Sequence, residues 1–132
     1  MKKDYQKWMH VKAEINNKLP RPIGFKERQI WLCNIGENIG FEEDGKGSRF
    51  VRPVLILKRY GTQMCHVIPL STTTKRNDLY YYPFDGKTGK TSVALLSQSR
   101  VLDSARLHRK IGLIEKDDFE NIKQKIRALL NL

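Results

Sequence analysis

VRPVLILKRYGTQMCHVIPLST, residues 51–72, sets two apolar runs on either side of a short polar break, and its reading decides the fold. Val51 to Leu57 and Met64 to Leu70 have strand length and are rich in β-branched residues, and Arg59, Tyr60, Gly61 and Thr62 supply a turn between them. The stretch predicts a β-hairpin. Pairing about that turn puts residues whose numbers sum to about 121 opposite one another, so Arg52 faces the neighbourhood of Pro69 and Ser71 and Thr72 follow at once. Pro53 suits the first residue of a strand and pushes Arg52 towards an extended conformation. A guanidinium and two hydroxyls should therefore meet at the end of the hairpin away from its turn.

Outward from this hairpin the same register continues. IWLC at 30–33, LYYY at 79–82 and SVALL at 92–96 are further short runs of β type, separated by polar segments containing glycine. Together they predict a small sheet or barrel built from hairpins. AspGly at 85–86 marks a turn, in a connection to Lys90 too long for a minimal hairpin. Alternation along Tyr80, Tyr81 and Tyr82 should bury at least one ring in the core.

Both ends of the chain read as helices. Near the start, Trp8, Val11 and Ile15 recur at helical spacing among Lys7, Lys12, Glu14 and Lys18, and Pro20 and Pro22 end the pattern. At the other end Asp117 and Glu120 have capping-box spacing, ahead of an apolar stripe of Phe119, Ile122, Ile126, Leu129 and Leu130. The fold class is mainly β with α, in one domain-sized chain of 132 residues. Residues 1–28 form an added helix and proline-containing linker, and residues 29–132 the main domain.

The chain carries 25 Lys and Arg against 14 Asp and Glu, a formal net charge of +11. Such a balance favours a polyanionic partner, and charge alone does not separate nucleic acid from lipid or an acidic protein tail. No apolar run approaches the roughly 20 residues that span a bilayer, and no apolar signal core follows the polar start, so a cytoplasmic protein with no membrane partner is expected. Cys33 and Cys65 sit in apolar alternating runs and read as buried thiols of a reducing compartment. His10, His66 and His108 lie apart and show no metal-ligand spacing, so neither a metal nor a cofactor is expected.

A phosphate placed between Arg52, Ser71 and Thr72 would meet the bidentate fork of arginine and one or two hydroxyl donors, an arrangement suited to a developing phosphorane charge. The same residues also read as an ordinary exposed arginine and a polar turn, SerThrThrThr. Likewise Lys75, Arg76, Arg106, Arg109 and Lys110 read singly as solvated surface and together as a surface for a polyphosphate.

The order of QIWLCNIG (29–36), RPVLIL (52–57), VIPLST (67–72), SVALLSQSR (92–100) and a closing helix resembles the MazF/PemK endoribonuclease toxins of bacterial toxin-antitoxin pairs. The resemblance covers residues 29–130. It implies a small SH3-like, partly open β-barrel of the CcdB/MazF kind, a homodimer, a cognate antitoxin, and metal-independent cleavage of single-stranded RNA. By the same resemblance the catalytic arginine is Arg52 and the catalytic hydroxyl is Ser71 or its neighbour Thr72, serine standing where the family carries threonine. Gln98 and Arg100 match a segment that lies near bound RNA. Glu42 and Arg49 fall in a loop resembling the family's mobile loop ahead of ArgPro, here lengthened, and Lys75 joins the expected RNA contacts.

No histidine belongs to the matched motifs, and arginine is a poor base in water. Arg52 is accordingly assigned to transition-state stabilisation, with the proton donor and acceptor open. Two other functions stay open on this fold: a non-catalytic toxin, as resemblance to CcdB would suggest, and a basic RNA-binding module. Residues 1–28 lie mostly outside the resemblance, carry eight basic and three acidic side chains, and are expected to pack the Trp8 face on the domain.

Overall fold

The computed structural model describes residues 2–18, 20–72, 79–86 and 91–132. Helix α1 (Tyr5–Asn16) precedes strands β1 (Gln29–Asn34), β2 (Val51–Tyr60), β3 (Met64–Ser71), β4 (Tyr81–Asp85), β5 (Thr91–Leu95), β6 (Arg100–Asp103) and β7 (Leu107–Leu113), and helix α2 (Lys116–Leu129) follows. Single-turn 3₁₀ helices at Leu96–Gln98 and Ser104–Arg106 flank β6. The strands pair antiparallel in the order β4-β5-β3-β2-β1-β7, and β6 pairs with β3.

β3 divides its outer edge between two partners. Residues 64–67 pair with β6, whereas Leu70 and Ser71 pair with Ala94 and Val93 of β5. The sheet curls enough for β6 and β7, at opposite edges, to contribute Leu102 and Leu107 to one core with Trp31, Cys33, Val54, Ile56, Cys65 and Val67. No pairing joins those edges among the described residues, so the seven-stranded sheet remains an unclosed barrel.

β2 and β3 are buried on both faces. Val54 and Ile56 point into the first core, while Leu55, Ile68 and Leu70 point into a second beneath Phe119 and Ile122 of α2. Burial on both faces explains why 54–57 reads as a continuous apolar run rather than an alternating one.

The hairpin register differs from the sequence expectation. Gly61, Thr62 and Gln63 make a three-residue turn, Tyr60 faces Met64, and a bulge at Leu57 adds a further slip before Val54 meets Pro69. Gly61 takes a positive φ of 65° there, which glycine adopts at little cost. Continued two residues, this register brings Ser71 opposite Arg52.

α1 follows the expectation: Trp8, Val11 and Ile15 are its buried residues, packed with Phe50 and Ala105. Its N-cap is Asp4, whose side chain accepts from Lys7 N at 3.0 Å. α2 begins earlier than its capping-box spacing suggests. Glu115 is the N-cap, its side chain making no capping hydrogen bond, and Asp117 and Asp118 fall in the first turn, where their charges suit the macrodipole. Asp118 is also occupied by the Tyr82 hydroxyl, at 2.8 Å. Leu130 is exposed, because α2 ends at Leu129 and only Phe119, Ile122, Ile126 and Leu129 reach the core.

No tyrosine of 80–82 is fully buried: Tyr80 is exposed, and Tyr81 and Tyr82 are half-buried at the edge strand β4. β6 and β7 were not expected. β7 is an edge strand whose residues 108–111 are all exposed, so LHRKIGL shows too little apolar alternation to announce itself. No described helix is long and apolar enough to cross a membrane.

Candidate active site

Arg52 lies opposite Cys33 of β1, and it is one of the few buried charged residues, 8% exposed. A buried guanidinium must be paired. Its Nε donates to the Asp44 carbonyl at 2.6 Å, Nη1 to the Leu70 carbonyl at 3.1 Å, and Nη2 meets Glu43 Oε1 at 2.8 Å. These contacts engage three of the five donors of the fork and fix its plane. Strand β3 supplies one acceptor, and the connection between β1 and β2 supplies the others.

That connection, residues 35–50, folds back on itself. Gly45 N donates to the Gly36 carbonyl at 2.8 Å, Gly36 N to the Phe50 carbonyl at 3.2 Å, and Lys46 and Val51 exchange bonds of 2.7 and 3.0 Å. A Cβ at Gly45 would lie 1.9 Å from the Phe50 carbonyl oxygen, so the close approach requires glycine. Its far end is tied to the sheet by Asn34, whose buried amide donates to the Arg49 carbonyl at 2.8 Å.

The structure brings the three expected catalytic residues together. Arg52, Ser71 and Thr72 line one cavity of about 490 Å³, whose walls include Leu70, Phe84 and Ile114. Ser71 is half-buried at the end of β3, and Thr72 is exposed just beyond it.

Glu42, Gln98 and Arg100 line a second cavity, of about 500 Å³, together with Glu43 and Pro69. Gln98 spans the loop: Oε1 accepts from Glu43 N at 3.2 Å and Nε2 donates to the Phe41 carbonyl at 3.1 Å. Arg52 joins the two cavities, since it lines the first and grips Glu43 in the second.

One expected RNA contact sits apart from the second cavity. Arg49 is drawn to Glu14 of α1, Nη1 to Oε2 at 2.6 Å, on the helix side of the loop. Lys75 lies outside the described residues. The sequence gives no reading of Glu43 as the partner of Arg52; Glu42, expected at the RNA, accepts from Ile39 N at 2.8 Å. The available signal was the acidic run 42–44 upstream of an arginine destined for burial, which needs a counter-charge. Only the folded loop shows which carboxylate provides it.

Lys46 and Asp85 line the same cavity as Arg52, whereas His66 and the two cysteines do not. His66 pairs across from Lys58, six residues or about 20 Å along β2 from Arg52. Burial holds its pKa below the usual 6.5. Cys33 and Cys65 are free, buried thiols, pushed up by burial to about 12 and about 11 respectively. No cluster of three metal-ligating side chains occurs among the described residues.

The comparisons converge on one family. The MazF of Deinococcus radiodurans is 21% identical with a TM-score of 0.65, over 84% of this chain and 99% of that one. The Mycobacterium tuberculosis toxin MazF-mt6 is 22% identical with a TM-score of 0.62, over 80% and 98%. A mycobacterial endoribonuclease solved in complex with its cognate antitoxin is 16% identical with a TM-score of 0.62, over 83% and 97%. At these identities the likeness is one of fold, and no curated protein sequence matches. The family described as the PemK-like, MazF-like toxin of type II toxin-antitoxin systems matches residues 26–130, most of the chain. With that span, and with the likeness of fold to those toxins, the chain belongs to the MazF/PemK toxin family.

Proposed function

We propose that this protein is an endoribonuclease toxin that cuts single-stranded RNA, with Arg52 as the residue that stabilises the transition state. One observation carries the reading. A buried guanidinium is fixed by Glu43 and two carbonyls at the rim of a cavity that Ser71 and Thr72 also line. Preorganised donors of this kind act where charge develops, and they do so without reorganising.

The chemistry follows from those groups. The ribose 2′-hydroxyl attacks the adjacent phosphorus and the bond to the 5′ oxygen breaks, leaving a cyclic phosphate and a free 5′-hydroxyl. Arg52 faces the non-bridging oxygens as their charge grows, and Ser71 or Thr72 donates a hydrogen bond to one of them. The Glu43 carboxylate has two acceptor oxygens, one of them on Arg52. It is the candidate to orient the guanidinium and to accept the proton of the 2′-hydroxyl. The proton delivered to the leaving 5′ oxygen comes from solvent or a neighbouring hydroxyl.

Glu42, Gln98, Arg100, Arg49 and Lys75 are assigned to RNA contact around this centre, and the net charge of +11 draws the strand in. No step calls for a metal or cofactor, so a chelator is expected to leave cleavage unchanged. A homodimer and a cognate antitoxin whose acidic or apolar tail occupies the RNA groove complete the reading; the antitoxin complex of the mycobacterial neighbour supports the antitoxin. The test is to incubate single-stranded RNA with the protein and determine the new ends. Cyclic phosphate and 5′-hydroxyl ends are expected; RNA that is bound but left whole would favour the non-catalytic alternatives.

A further inference from the structure

The amino-terminal segment lies outside the family match, yet its polar contacts fall on the loop that serves Arg52. The Lys3 side chain is only 6% exposed, and its Nζ meets the Asp44 carboxylate at 3.0 Å, the Asn38 carbonyl at 2.5 Å and the Gly40 carbonyl at 2.9 Å. These are three acceptors for the three N–H groups of an ammonium. The Tyr5 hydroxyl donates to the same Asn38 carbonyl at 2.9 Å, and Asp4 N donates to Glu37 Oε2 at 3.1 Å.

The helix adds a packing contact at the loop's first hinge. Gly36 has a φ of 92°, and a Cβ there would lie 2.4 Å from the Trp8 ring, so the indole lies against bare backbone. Trp8 also meets Phe50, at the other end of the loop, edge to face at 5.6 Å.

The loop needs such support. Its tip exposes Ile39 and Phe41, so no apolar anchor holds residues 39–41 in place. Order there comes from hydrogen bonds, supplied by Gln98 on one side and by Lys3 and Tyr5 on the other. Asp44 is the link to the chemistry: its carboxylate takes Lys3 while its carbonyl takes Arg52.

We propose that residues 2–18 clamp the 36–45 loop and that Lys3 is a positioning residue for cleavage, acting on Arg52 through Asp44 and the adjoining Glu43. The inference rests on the endoribonuclease reading. Losing Lys3 would remove the donor to the Gly40 carbonyl and to Asp44 Oδ2, leaving the Asn38 carbonyl to Tyr5 and Asp44 Oδ1 to Asn38 N, and so loosen the loop that carries the acceptors of Arg52. Small misplacements of a catalytic group cost about tenfold to a hundredfold in rate. RNA binding, spread over many phosphates, would change less.

The test compares wild type, Lys3→Met, Lys3→Arg and Arg52→Ala in the full chain. It measures cleavage of single-stranded RNA over a range of concentrations, together with amide hydrogen exchange. Lys3→Met should lower kcat about tenfold, move KM less than about twofold, and speed exchange at Gly45 and its loop neighbours while β2 and β3 stay protected. Lys3→Arg should recover part of the rate, since it restores a charged donor. Wild-type cleavage by Lys3→Met, or unchanged loop exchange in that variant, would overturn the proposal. Lost β2 and β3 protection would also overturn it, by showing that Lys3 serves the fold as a whole. If the wild type itself fails to cut RNA, the endoribonuclease reading falls and takes the catalytic role of Lys3 with it. In that case the exchange data alone would decide whether Lys3 orders the loop.

Discussion

The Asp44 carbonyl accepts the Nε hydrogen of Arg52 at 2.6 Å, so the arginine at the second position of β2 is held by the main chain of its own upstream loop. The next residue back, Glu43, holds the other end of the same guanidinium. Loop conformation and arginine geometry are thus one structural unit.

Glu43→Gln should weaken that unit while keeping its shape. Replacing a charged hydrogen bond to a buried arginine by a neutral one is expected to cost about 2 kcal/mol, readable as a lower urea midpoint. Cleavage should fall by about a hundredfold to ten-thousandfold, the range expected of a general base. Glu42→Gln leaves the partners of Arg52 in place, so the urea midpoint should hold and any loss of cleavage should appear in KM rather than kcat.

Gly45→Ala tests the close approach of loop and strand. The added methyl meets the Phe50 carbonyl oxygen at 1.9 Å, and backbone cannot step aside as a side-chain tip can. Overpacking of this kind costs about 1 to 3 kcal/mol. A lower melting temperature should accompany reduced cleavage.

Stability should have a plateau in pH, bounded by the half-buried His66 on one side and the two buried thiols on the other. Burial depresses the His66 pKa, so its contribution is present above the unfolded value near 6.5 and is lost as pH falls through the lower folded value. Cys33 and Cys65 have raised pKa values. Their contribution is complete below the unfolded value near 9.0 and is lost as pH rises towards about 11 and about 12. Urea unfolding followed from about pH 5 to about pH 11, a window that spans the unfolded values of 6.5 and 9.0, should show both declines. Thiol labelling at pH 8 should be slow until the chain unfolds.

RNA affinity should fall steeply with salt. Each phosphate neutralised on a single strand contributes about −0.7 to the slope of log affinity against log salt. Several such contacts give a slope of about −2 or steeper. Gln98→Ala should leave that slope intact, because Gln98 is uncharged and acts on the loop at Glu43 and Phe41.

Legibility followed physical cause. α1 was readable because Trp8, Val11 and Ile15 repeat with the helical period and all three are buried. The hairpin was readable from its apolar runs, but its register was not, since neither a three-residue turn nor the bulge at Leu57 leaves a composition signal. That error of about two residues moved the expected neighbour of Arg52 from Ser71 to Pro69. β7 was hidden by its exposure, and Glu43 by the adjacency of Glu42, because partner choice depends on a loop fold that local pattern does not encode. The hydroxyls of Ser71 and Thr72 were legible from resemblance and order along the chain, and they share one cavity with Arg52.

The most direct test of the central claim is to map the ends of single-stranded RNA after incubation with the wild type and with Arg52→Ala, at equal protein bound to RNA. Removing a preorganised donor of this kind costs about a hundredfold or more in rate. The account predicts new 5′-hydroxyl ends with the wild type, and their loss in the variant while RNA binding persists. Equal cutting by both proteins would contradict the role given to Arg52, and intact RNA with both would contradict the endoribonuclease itself.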